Sequence, residues 1–186
     1  MKKILKYALT AVGVFAVAFV GVYLGMMIRG ASAHQPAEQT ADHTNTLLNT
    51  GGAFPDVDLM TPESTLVKTS SLYAGSGSVF LFMELGCPPC ATMSEKWQKL
   101  IADGTVTPKN VYGVVIEPAH SAEMYRKKNG LAFSIYSDTA MTFIKKYLVT
   151  EFPLCVIVGR SGKIHLQTYD PNREITSKEL AGYLKD

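Results

Sequence analysis

The chain has 186 residues, enough for one ordinary domain with sequence to spare, and 47% of them are hydrophobic. Its 18 Lys and Arg stand against 16 Asp and Glu, a net charge of +2. The excess belongs to the first 51 positions, where Lys2, Lys3, Lys6 and Arg29 face only Glu38 and Asp42, so the balanced remainder excludes a basic nucleic-acid-binding face.

Tyr7 to Ile28 is a run of 22 residues without a charge. At about 1.5 Å per residue a helix of that length crosses a hydrocarbon core of about 30 Å. The lysines ahead of it predict a cytoplasmic N-terminus, with residues 30–186 outside the membrane. Ala31-Ser32-Ala33 has the small-x-small form of a signal-peptidase site. The apolar run, however, exceeds the roughly 7–15 residues of a signal-peptide core, so an uncleaved anchor over 1–29 is expected. Gly21 and Gly25 form a GxxxG spacing. Glycine is common in membrane helices, and no dimer is read from it.

Residues 30–51 are small and polar without an apolar period and read as a flexible tether. From Gly52 onward short apolar runs alternate with amphipathic stretches. "SVFLFMEL" (78–85) reads as a strand buried on both faces. A helix follows from Pro88 to about Ala102, with Met93, Trp97, Leu100 and Ile101 on its inner side. "VYGVVIE" (111–117) is a second buried strand, 119–129 a helix, 131–138 extended, and Thr139 to Tyr147 a helix. "LCVIVG" (154–159) and "KIHLQTY" (163–169) flank Arg160, Ser161 and Gly162 as a hairpin, and 177–185 closes as a short helix. The order predicts an α/β domain over 52–186 with a mixed central sheet flanked by helices. About 135 residues bury a sufficient core without staples, so the cysteines need not be structural.

Cys87 and Cys90, separated by Pro88 and Pro89, carry the chemistry. A zinc site wants four ligands, yet only Cys155 remains and His34, His43, His120 and His165 are scattered. A structural disulfide over so short a loop removes little chain entropy. Position favours redox exchange. At the junction of a buried strand and a helix, Cys87 occupies the N-cap, where free amides and the helix dipole favour the thiolate that attacks disulfides. Cys90, one turn inside, is placed to attack back. Pro88 and Pro89 suit a first helical turn but remove two amide donors. A moderately lowered Cys87 pKa and a reducing couple are therefore expected. Pro153, opening a later strand, is the second marker, because a cis Phe152–Pro153 bond would turn backbone groups toward the cysteine pair. Cys155 and Trp97 read as core residues.

CPPC after an apolar strand and "FPLCVIVGRSGKI" downstream resemble the thioredoxin superfamily. Residues 52–186 are similar to its membrane-anchored TlpA-type branch, which includes the cytochrome c maturation reductants. "AFPDVDLMTPES" resembles the leading segment of that branch, and "VYGVVIE" with "LAFSIYSD" its extra strand–helix insertion. The resemblance implies a thioredoxin-like fold, Cys87 as nucleophile, Cys90 as resolving thiol and Pro153 as cis-proline, with Phe152 and Pro153 against the substrate. It departs at Gly86, where the family has Trp, and at Leu81, where thioredoxin has a buried Asp. Met93 stands where many TlpA-type proteins have Glu, and Glu95 where a kinking Pro is usual. Glu84, three residues before Cys87, is the expected replacement for the missing proton acceptor, provided that it is partly buried.

The resulting expectation is a single-pass inner-membrane thiol–disulfide oxidoreductase whose catalytic domain faces the periplasm or an equivalent space. It would reduce exported proteins with electrons from a transmembrane donor, without cofactor, metal or nucleic acid. Two rivals are a thiol peroxidase, which wants a Thr before its cysteine where Leu85 and Gly86 offer none, and a copper chaperone, which wants a His ahead of a late strand where His165 is out of place.

Overall fold

A computed structural model describes residues 46–186. The anchor expected over 7–28, the small-x-small motif and most of the tether lie outside the described residues. Among the described residues no helix is long and apolar enough to cross a membrane.

Seven strands form one mixed sheet, ordered β2-β1-β5-β4-β3-β6-β7. They are β1 (Asp58–Met60), β2 (Leu66–Lys68), β3 (Ser78–Phe82), β4 (Val111–Val115), β5 (Ser134–Ser137), β6 (Leu154–Val158) and β7 (Ile164–Thr168). β3, β4 and β5 run parallel, whereas β6 is antiparallel to both β3 and β7, and β1 to both β5 and β2. Among the described residues five α-helices accompany the sheet: α1 (Thr69–Tyr73), α2 (Pro88–Ala102), α3 (Ala119–Lys128), α4 (Thr142–Tyr147) and α5 (Ser177–Lys185). This is the mixed-sheet α/β architecture that the strand–helix alternation predicts, in the thioredoxin-like arrangement that the resemblance implies.

Every residue of β3 and β6 is buried, because alternate side chains enter different cores. Val79, Leu81, Cys155 and Ile157 join Cys90, Met93 and Trp97 of α2 and Leu180 of α5 in one cluster. Phe80, Phe82, Leu154, Val156 and Val158 join Phe54 and Phe143 in the other. There Phe54 stacks on Phe80 at 4.5 Å between ring centroids, and Phe143 meets Phe82 edge-on at 4.7 Å. The helix bearing the cysteines is therefore fixed to one face and an aromatic cluster fills the other.

The structure departs from the sequence reading in three places. Thr46–Gly51, assigned to the tether, pack on the domain. Leu48 is buried, the Thr46 hydroxyl donates to the Tyr147 carbonyl at 3.0 Å, and the Gly51 amide donates to Ile164 at 2.7 Å. Two adjacent leucines among polar residues give no period, yet Leu48 alone turns inward while Leu47 stays exposed. The β1–β2 hairpin and α1 were not expected, because three-residue strands are too short to show alternation. α4 begins at Thr142 rather than Thr139, since Asp138 accepts the Phe143 amide at 2.7 Å and Met141 takes a left-handed conformation ahead of the helix.

Candidate active site

β3 ends at Phe82 and the chain turns through Glu84–Gly86 before α2. Gly86 permits that turn with a φ of +89°, a conformation disfavoured for any side-chain-bearing residue. Cys87 is the N-cap of α2 and Pro88 and Pro89 form its first turn, as expected. With two amides gone, the first-turn donor left to the sulfur is the Cys90 N–H, which reaches Cys87 Sγ at 3.3 Å. Cys87 and Cys90 are joined as a disulfide with Cα atoms 5.3 Å apart. Cys90 is 1% exposed, whereas Cys87 is only half-buried. A partner sulfur therefore reaches Cys87 first.

The Phe152–Pro153 bond is cis. β6 starts immediately after it, and Leu154 pairs with Phe82, the last residue of β3. Antiparallel pairing thus brings the start of β6 and the end of β3 to the same edge of the sheet. Pro153 is buried there, and Phe152 packs against both cores.

Glu84 does not have the partly buried setting expected of it, being exposed. Its position gives the reason: Phe80 and Phe82 share its parity and face the aromatic core, away from α2 and Cys90. Cys90 belongs to the hydrophobic cluster that holds Met83, Met93 and Trp97. The carboxylate that touches the loop before Cys87 is that of Glu117, at the end of "VYGVVIE". Its Oε1 accepts the Leu85 amide at 3.0 Å, and its Oε2 is buried without a hydrogen-bond partner. Sequence reading does not single out Glu117, which reaches the loop only through the pairing of β4 with β3. Its parity with Val111 and Val115 places it on the α2 face.

Residues 50–167 match the AhpC/TSA family, which spans thiol–disulfide oxidoreductases and peroxidases. The chain belongs to the AhpC/TSA family. A PrxQ variant from Xylella fastidiosa shares its fold with a TM-score of 0.57 at 18% identity, over 74% of this chain and 95% of that one. A secreted Mycobacterium tuberculosis disulfide oxidoreductase homologous to E. coli DsbE gives 0.52 at 19%, over 69% and 94%. The thioredoxin domain of a Bacteroides vulgatus thiol–disulfide oxidoreductase gives 0.56 at 17%, over 73% and 94%. Comparison with curated protein sequences returns no match.

In this AhpC/TSA domain the third cysteine is set apart. Cys155 is buried in mid-strand between Leu81 and Thr168. Burial pushes its thiol up to about 12, only partly offset by the Lys96 charge and a hydrogen bond from the Trp97 side chain. At pH 8 it is expected to resist a thiol reagent in the folded protein and to react once urea unfolds the chain. Because the folded value lies above the ordinary 9.0, the unfolded state loses this proton first, and stability should fall as pH rises from about 9 toward 12. Titration with a chromogenic disulfide, with and without urea, checks the first expectation, and urea melts across that range check the second. Among the described residues no group of three or more His, Cys, Asp or Glu could hold a metal ion.

Proposed function

We propose that this protein is a membrane-tethered, extracytoplasmic thiol–disulfide oxidoreductase of the TlpA type that reduces disulfides in exported proteins. The observation that carries this reading is the Cys87–Cys90 pair at the start of α2, with its outer sulfur accessible and the cis-proline segment at the same sheet edge. The Cys87 thiolate attacks a substrate disulfide, forming a Cys87–substrate bond and expelling the second substrate sulfur as a thiolate that takes up a proton. Cys90 then loses its proton and attacks Cys87 Sγ. The mixed disulfide breaks, the first substrate sulfur leaves, and the enzyme is left oxidised by two electrons. The backbone around Phe152 and Pro153 would hold the substrate segment in extended form during both steps. A transmembrane electron donor would restore the dithiol. The apolar run at 7–28 supports the tether, and the secreted, DsbE-homologous relative supports the compartment by analogy of fold.

The equilibrium potential of the full chain against glutathione tests the direction of transfer. A value near that of thioredoxin, about −270 mV, is expected, whereas one near −120 mV would make the protein a disulfide donor. The family match also admits a peroxidase. Consumption of hydrogen peroxide by the reduced chain at a rate exceeding disulfide exchange would establish that reading instead.

A further inference from the structure

Glu117 is placed where a group acting on the cysteine pair would be. It follows β4, the parallel neighbour of β3, and the Phe82–Val114 register, extended past the ends of both strands, sets Leu85 opposite Glu117. One carboxylate oxygen accepts the Leu85 amide, two residues before Cys87. The residue is itself anchored, because the Ser137 hydroxyl donates to its backbone carbonyl. The other oxygen, Oε2, is buried and has no hydrogen-bond partner. A buried polar atom without a partner costs free energy, so its persistence calls for a reason, and redox or catalytic duty is one such reason.

We propose that Glu117 is a positioning residue for the cysteine pair, tethering the Cys87 loop through the Leu85 amide and opposing ionisation of Cys87 with its negative charge. The tether holds the nucleophile's loop against β4. The charge acts as any like charge does beside a thiolate, disfavouring the charged form. Away from bulk water that field is weakly screened. The other charged or titratable groups in the segments around the pair are Glu84 in the loop, Cys90 in α2, His120 in α3 and Glu151 ahead of the cis-proline. Glu84 and His120 are exposed, so water screens them more strongly than the buried oxygen of Glu117. The inference deepens the reductase reading and rests on it. A thiolate denied both the amides missing at Pro88 and Pro89 and a neutral neighbourhood makes the dithiol a better electron donor.

The test uses the full chain in detergent, reduced and then alkylated with iodoacetamide across pH 5–10, in wild type, Glu117→Gln and Glu117→Ala. Glutamine keeps an acceptor for the Leu85 amide and removes the charge. E117Q is expected to move the midpoint of Cys87 alkylation about one unit lower. It should also shift the exchange equilibrium with glutathione about tenfold toward the dithiol, which is about 30 mV for a two-electron couple. E117A, which loses the tether as well, should in addition exchange more slowly with a disulfide substrate, and E117Q should restore that rate. An E117Q profile and equilibrium that superimpose on wild type, or that move the other way, overturn the proposal. Equal exchange rates in E117A and wild type overturn the tether. Circular dichroism identifies a misfolded variant, and E117Q, nearly isosteric, supplies the deciding profile. If wild type itself shows no reducible Cys87–Cys90 couple, the parent reading fails instead, a result separate from any difference among the variants.

Discussion

Replacing Cys90 with serine is expected to give a protein that attacks its substrate and then cannot release it. Cys87 remains half-exposed at the start of α2, whereas Cys90, the residue proposed to resolve the mixed disulfide, is gone. Incubated with a disulfide-containing protein, reduced C90S should accumulate a covalent complex on a non-reducing gel, and dithiothreitol should dissolve it. C87S should form none, since Cys90 is 1% exposed and no external sulfur reaches it. Turnover in both variants should fall below detection. Neither variant should lose the fold, because the disulfide closes a far shorter loop than the 15 residues credited with about 3 kcal/mol. An equal yield of complex from C87S would reverse the two roles.

The second large effect concerns stability. Trp97 is 1% exposed and packs with Cys90, Met93 and Cys155 between α2 and the sheet. Trp97→Ala removes the largest fully buried side chain of the domain. Such truncations cost about 3–5 kcal/mol, against the roughly 5–15 kcal/mol that holds a domain together. The urea midpoint, followed by circular dichroism because no other tryptophan remains, should therefore collapse toward the onset of unfolding. Trp97→Phe should recover much of the loss. A cost under about 1 kcal/mol for the alanine variant would mean that α2 is held by something else.

Some of this was legible in the chain. The uninterrupted apolar runs at 78–82 and 154–158 announce strands covered on both sides, since no polar residue is needed where neither face meets water. The cysteine spacing and Pro153 announce the site because few residue types suit a helix start or the entry to a buried strand. The β1–β2 hairpin was hidden, as its strands show three residues each and Leu66 and Lys68 face solvent. Glu84 and Glu117 are the instructive pair. Distance along the chain favoured Glu84, but the alternation of strand side chains sends it toward the wrong face. Glu117, thirty positions from Cys87, arrives at the loop only because β4 lies alongside β3. Proximity of this kind is set by pairing, which no local pattern encodes.

The pairing of β3 with β6 joins residues 72 to 80 positions apart in the chain, from Phe82 with Leu154 to Ser78 with Val158. Closing a loop of that length costs entropy before any contact rewards it, so such strands meet late. During synthesis the two cysteines emerge from the ribosome long before Leu154–Val158 exist. For that interval the CPPC segment has neither its proline wall nor the sheet beneath it, and both thiols are as open as in a short peptide. The meeting of β3 with β6 therefore sets how long the two thiols stay open before the sheet closes behind them.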